Sequence, residues 1–155
     1  MAHSIVRNTL HCIFAVKNRL PLLHPEIRPL LFERTRSIID HHYPRCGLIA
    51  INGVVDHVHA LIELHQSVEL QAVIRDIKAR SSQLLNQLNS GPGRFAWQNG
   101  YAAFGCEFSG IDRVVSYIER QEEHHCEEDF LDEYIRILRE NGIDYYQLRA
   151  DDRLV

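Results

Sequence analysis

The 155-residue chain predicts an α+β fold, an antiparallel sheet built in the order β-α-β-β-α-β with further helices after it. Three observations lead there. Four short runs rich in β-branched and aromatic residues are separated by stretches with helical apolar spacing. The middle two runs are joined through Asn52-Gly53, and helical patterns follow the last run.

Taken in order, the first strand covers residues 10–16 and leads into a basic loop with Lys17 and Arg19. Pro25 stands at a first helical position, and Ile27, Leu30, Leu31, Ile38 and Ile39 carry that helix to about His42. Residues 46–51 and 57–64 form a hairpin, because Asn-Gly supplies the positive φ of a tight turn. Ser67 offers an N-cap for a long helix with the apolar stripe Leu70, Val73, Ile74, Ile77, Leu84, Leu85 and Leu88; its other face carries Arg75, Lys78 and Ser82. The loop Asn89-Ser90-Gly91-Pro92-Gly93 precedes a fourth strand over residues 101–108. Ser109-Gly110-Ile111-Asp112 has the capping-box pattern and opens a helix that buries Ile111, Val114, Val115 and Ile118. A last helix, about residues 129–141, buries Phe130, Leu131, Tyr134, Ile135 and Leu138 and stops at Gly142. This order suits a ferredoxin-like sheet.

With 45% apolar and 25% charged residues, the sequence reads as one globular domain over residues 1–155. No apolar run approaches the ~18 residues of a membrane span, and no leader pattern opens the chain, so a cytoplasmic protein is expected. Cys12, Cys46, Cys106 and Cys126 are scattered singly and form no metal pair or disulfide framework. The formal net charge of −4 argues against a polyanionic partner, but it hides an asymmetry. Residues 1–100 hold 11 Lys+Arg against 7 Asp+Glu, whereas residues 101–155 hold 6 against 14, so a polyanion should lie on the first two-thirds of the chain.

The 10 histidines include His57 and His59, two apart on a strand, which project from the same sheet face while Val58 points to the other. Two imidazoles on one face make half of a divalent-metal site, or they line a solvated sheet. On the helix after Gly110, Arg113, Tyr117, Gln121 and His124 or His125 follow at three- and four-residue spacing and share a face. By itself Tyr117 reads as a boundary tyrosine with a wet hydroxyl. His124 and His125 point about 100° apart and cannot both face one ion.

In combination, five ordered blocks carry a family resemblance: Val16-Lys17-Asn18-Arg19, Asp56-His57-Val58-His59-Ala60-Leu61-Ile62, Ile77-Lys78-Ala79-Arg80-Ser81-Ser82, the run from Phe95 through Trp97 and Tyr101 to Phe104, and Val115-Ser116-Tyr117-Ile118-Glu119-Arg120-Gln121-Glu122-Glu123-His124-His125. The sequence resembles the single-tyrosine HUH transposases of bacterial insertion sequences and their relatives associated with repetitive extragenic palindromes. The resemblance implies that His57, His59 and Gln121 hold a divalent metal, Mg²⁺ or Mn²⁺, and that Tyr117 is the nucleophile. It also implies a single-stranded DNA substrate with hairpins, a 5′-phosphotyrosine intermediate with a free 3′-hydroxyl, and a homodimer with sites assembled in trans.

That chemistry suits these residue types. A tyrosine hydroxyl with pKa near ~10 and a phosphodiester are both unreactive at neutral pH, and a cation held by neutral ligands keeps its full charge for the phosphoryl oxygen. Lys17, Arg19, Arg75, Lys78 and Arg80 are candidates for phosphate contacts, or ordinary solvated charges, with Trp97 and Tyr101 as candidate base stackers. Two competing readings are a hairpin-binding protein that no longer cuts and a plain metal-dependent nuclease in which Tyr117 is structural.

Overall fold

The structure is a computed structural model and describes residues 3–88 and 93–150, so most of the Asn89–Gly93 connector expected above lies outside it. Strands β1 (Thr9–Ala15), β2 (Gly47–Gly53), β3 (His57–Glu63) and β4 (Ala102–Gly105) form one antiparallel sheet in the order β2-β3-β1-β4. This is the expected α+β architecture.

The central pair β1 and β3 is buried on both faces because helices cover both. Cys12, Phe14, Val58, Ala60 and Ile62 face helices α1 (Arg28–His42) and α2 (Leu70–Leu88), meeting Leu31, Ile38 and Ile39 from the first and Val73, Ile74, Ile77 and Leu85 from the second. The alternate residues look the other way. Ala50 and Leu61 pack with Ile118 of α3 (Ile111–Glu119), and Ile13 and Phe104 pack with Ile137 and Leu138 from further along the chain. His57 and His59 share this second face, as strand alternation demands.

Several local expectations shift. The first helix starts at Arg28, not Pro25: the N–H groups of Ile27 and Arg28 both bond to the His24 carbonyl, so Pro25 sits in a turn and Pro29 takes the first helical turn. Ser67 is not the cap of α2, since its hydroxyl bonds to His65 Nδ1 at 2.7 Å three residues before the helix begins. Strand β4 is only four residues long, and a 3-10 turn over Phe108–Gly110 runs into α3 without any side-chain cap, so the capping box does not form. Helix α3 breaks at Arg120 and continues as α4 (Gln121–His124). Helix α5 (Phe130–Glu140) is capped by the Asp129 side chain and closed by Gly142, whose φ of +74° is the left-handed conformation glycine favours. Its buried face is Glu133, Ile137 and Leu138, with Leu131 exposed, and a short α6 (Tyr145–Ala150) follows.

The β2–β3 turn differs for a physical reason. Strand β2 runs through Asn52 and Gly53, the turn is Val54-Val55-Asp56, and Gly53 has no positive φ. Glycine is needed there because a Cβ would lie 2.5 Å from the His57 carbonyl oxygen and 3.1 Å from Val58 Cα. Gly53→Ala is therefore expected to cost about 1–3 kcal/mol through overpacking and to lower the melting temperature by several degrees. A thermal melt indistinguishable from wild type would contradict this close approach.

Candidate metal and tyrosine site

The site forms where β3 meets α3, α4 and α5. His57 and His59 are fully buried, each held through Nδ1. His57 Nδ1 lies 2.7 Å from Asp56 Oδ1, and His59 Nδ1 lies 2.9 Å from Nε2 of His11 on β1. Both rings therefore turn their Nε2 atoms toward the helices.

Glu133 of α5 meets them there. Its Oε2 is 3.2 Å from His57 Nε2, 3.5 Å from His59 Nε2 and 2.9 Å from His125 Nε2. Its Oε1 accepts from Gln121 Nε2 at 3.1 Å and from the Tyr117 hydroxyl. Arg136, one turn beyond Glu133, donates to the Tyr117 oxygen at 3.0 Å and is itself held by Glu128 at 2.8 Å. The His124 ring stacks on Tyr117 with centroids 4.7 Å apart, while His125 turns toward Glu133, so the adjacent histidines do point different ways. On the strand side, Phe130 covers His57, with Arg19 over its ring.

Two ties anchor the helices. Arg28 donates to the Gly53 carbonyl at 2.9 Å and to Glu122 on α4 at 2.7 Å. The Asn52 amide donates to the Glu119 carbonyl at the end of α3.

Electrostatics follow from this packing. Burial alone would push the Glu133 carboxyl up, but bonds from His125, His57 and His59 hold it well below the usual range. Burial takes His59 down to about 4, and burial with the neighbouring His59 takes His11 down to about 3, so both are neutral near pH 7. His57 goes the other way: burial opposes its charge, yet Asp56 and Glu133 raise it. The Tyr117 hydroxyl is raised by burial and by its bond to Glu133, with Arg136 pulling against them.

Of the residues singled out in the sequence, His57, His59, Tyr117 and Gln121 are brought together. His125, one of the two histidines placed on the Tyr117 face, joins them through Glu133, and Glu133, His11 and Arg136 are additional. Glu133 had a readable signal: it falls in phase with Phe130 and Ile137, a carboxylate in an apolar stripe. Two expected DNA contacts have partners within the chain. The Trp97 ring is buried against Phe14 and Phe95, and its indole N–H donates to Ser81 at 2.9 Å. The Lys78 ammonium donates to the carbonyls of Gln98 and Gly100, and burial lowers its pKa to about 8. Lys17, Arg19, Arg75 and Tyr101 are exposed, and Arg80 is partly so. Arg75 and Tyr101 also line a cavity of about 650 Å³ on α2 that includes none of the site residues.

A protein-family model described as "Transposase IS200 like" matches residues 4–121. This chain belongs to the IS200-like transposase family. Membership makes it a DNA transposase, and the match takes in His57, His59, Tyr117 and Gln121 but stops short of His125, Glu133 and Arg136. Among solved structures, a proposed transposase of Deinococcus radiodurans R1 is similar at 21% identity and TM-score 0.61, over 78% of this chain and 95% of that one. A REP-associated tyrosine transposase bound to a REP hairpin is similar at 15% identity and TM-score 0.60, over 81% of this chain and 73% of that one. Both share the fold. No curated protein matches. No helix among the described residues of this IS200-like chain is long and apolar enough to cross a membrane.

Proposed function

We propose that this IS200-like transposase acts as one HUH domain in the cytoplasm, cleaving and rejoining single-stranded DNA through a covalent bond to Tyr117. The observation that carries the reading is that the Tyr117 hydroxyl and the Nε2 atoms of His57 and His59 all reach one carboxylate. Nucleophile and cation half-site thus lie one small group apart, as in-line attack on a polarised phosphodiester requires.

The donor set fits a divalent ion. His57 Nε2, His59 Nε2 and Gln121 Oε1 are buried without a well-formed hydrogen bond, and an unpartnered buried polar atom is costly unless a ligand uses it. His57, His59 and Gln121 would hold Mg²⁺ or Mn²⁺, which when bound supplies positive charge to the phosphoryl oxygen. Asp56 and His11 would orient the imidazoles from behind.

The remaining chemistry belongs to the chain. Tyr117 donates its hydroxyl proton toward Glu133 Oε1, and Arg136 donates to the Tyr117 oxygen and favours the phenolate. Attack forms the Tyr117 Oη–phosphorus bond as its proton passes by way of Glu133 to solvent, and breaks the bond to the 3′-oxygen, which takes a proton from water and leaves as a 3′-hydroxyl. The phosphotyrosine keeps the bond energy, so a second 3′-hydroxyl reverses the step without a nucleotide cofactor. Lys17, Arg19, Arg75 and Arg80 would contact phosphates and Tyr101 would stack a base. The hairpin bound by the REP-associated relative supports a hairpin substrate.

Incubating the chain with a single-stranded hairpin oligonucleotide tests this reading. Cleavage is expected with Mg²⁺ or Mn²⁺ and should vanish in excess chelator; full cleavage in chelator, or equal cleavage of a duplex of the same sequence, overturns it.

For assembly, the Tyr117 ring stands 5.9 Å from the His59 ring of its own chain. This distance favours a cleavage site built in cis, and the homodimer with trans sites that the resemblance implies is the alternative that subunit mixing tests. Mixing Tyr117→Phe chains with His57→Ala chains is then expected to restore nothing after verified subunit exchange. Recovered cleavage in the mixture would establish a homodimer with trans sites.

A further inference from the structure

We infer that Glu133 is itself a ligand of the divalent ion, through Oε2, and that His125 joins His57 and His59 around it. The inference rests on the proposed function only in requiring that an ion bind at His57 and His59. Both added ligands lie beyond the stretch that the family model matches.

Geometry comes first. A single oxygen, Glu133 Oε2, has three imidazole Nε2 atoms 2.9, 3.2 and 3.5 Å away. Ligand atoms of His57, His125 and Glu133 all fall within 4.8 Å of one another. Neighbouring ligands on an octahedral ion with bonds of about 2.1 Å stand about 3 Å apart, so these are spacings of atoms that share an ion.

Proton placement points the same way. Asp56 can only accept, so at 2.7 Å it fixes the proton of His57 on Nδ1. With Nδ1 tied to Asp56, His57 Nε2 faces Glu133 Oε2 directly, 3.2 Å away. Neither His57 nor His59 makes a well-formed hydrogen bond through Nε2. Three imidazole nitrogens gathered on one buried carboxylate oxygen form a donor set that a single divalent cation can satisfy together.

The second carboxylate oxygen gives the arrangement its consequence. Oε1 holds the Tyr117 hydroxyl and the Gln121 amide nitrogen, so Glu133 ties the nucleophile to the ion through one carboxylate. The ligand set then carries a negative charge, which lowers the ion's pull on a phosphate but fixes Tyr117 beside it.

The test is Mn²⁺ titration of the full chain by calorimetry, with no DNA present. Glu133→Gln is expected to weaken Mn²⁺ binding at least tenfold, His125→Ala several-fold, and Glu133→Asp to an intermediate degree. In the Mn²⁺-loaded wild type, electron spin echo spectroscopy should count three imidazole nitrogens. Glu133→Gln binding within twofold of wild type, while His57→Ala binding is lost, overturns the inference alone and leaves Glu133 as an internal counterion of protonated histidines. Unchanged binding in His57→Ala as well removes the ion site and the proposed function with it. If Glu133→Gln fails to fold, Glu133→Asp decides, since it keeps the charge but withdraws the oxygen, and unchanged affinity there is equally fatal.

Discussion

Tyr117→Phe is expected to abolish strand cleavage, by at least about 10³-fold, while leaving hairpin binding nearly unchanged. Only the hydroxyl is removed. The ring stays between His124 and the apolar residues of α5, so stacking is retained. Glu133 Oε1 keeps the Gln121 amide as a partner, so the loss of stability should stay near about 1 kcal/mol. A labelled hairpin oligonucleotide followed on a denaturing gel measures cleavage, and a shift assay measures binding. Cleavage at a comparable rate would make Tyr117 structural and the protein a metal-dependent nuclease.

His57→Ala should be as damaging for a different reason. It removes an imidazole whose Nε2 faces the shared carboxylate and frees Asp56 of its partner, so ion binding and cleavage should both fall, cleavage by at least about 10²-fold. His59→Ala should do the same, and it also strands His11, which loses its bond to His59 Nδ1. Gln121→Ala should cost less, because water can replace one neutral oxygen. Calorimetric Mn²⁺ titration beside the cleavage assay checks the series. Retained cleavage with lost Mn²⁺ binding would separate the ion from the chemistry.

Much of this site was legible because strand and helix periodicities are strict. His57 and His59 had to share a face, whereas their burial comes from the helices packed over it. Tyr117 and Gln121, four apart, remained on one side even though α3 breaks at Arg120. What escaped were features set by packing at a distance. Asn52-Gly53 looked like a positive-φ turn, but Gly53 is required by the approach of the His57 carbonyl, which only tertiary structure reveals. Trp97 and Lys78 looked like DNA contacts, yet one fills the core and the other straps two carbonyls. Glu133 escaped because its partners, His57, His59, His125 and Tyr117, lie 8 to 76 residues away. Pro25 and Ser67 show the smaller lesson that a residue suited to start a helix can build the turn before it.

The most direct test is intact-mass and peptide mass spectrometry of the wild-type chain after reaction with a single-stranded hairpin oligonucleotide and Mn²⁺. A covalent DNA adduct mapping to the peptide that contains Tyr117, absent in Tyr117→Phe and in chelator, is the predicted result. Cleaved DNA with unmodified protein, or an adduct on another residue, would contradict it.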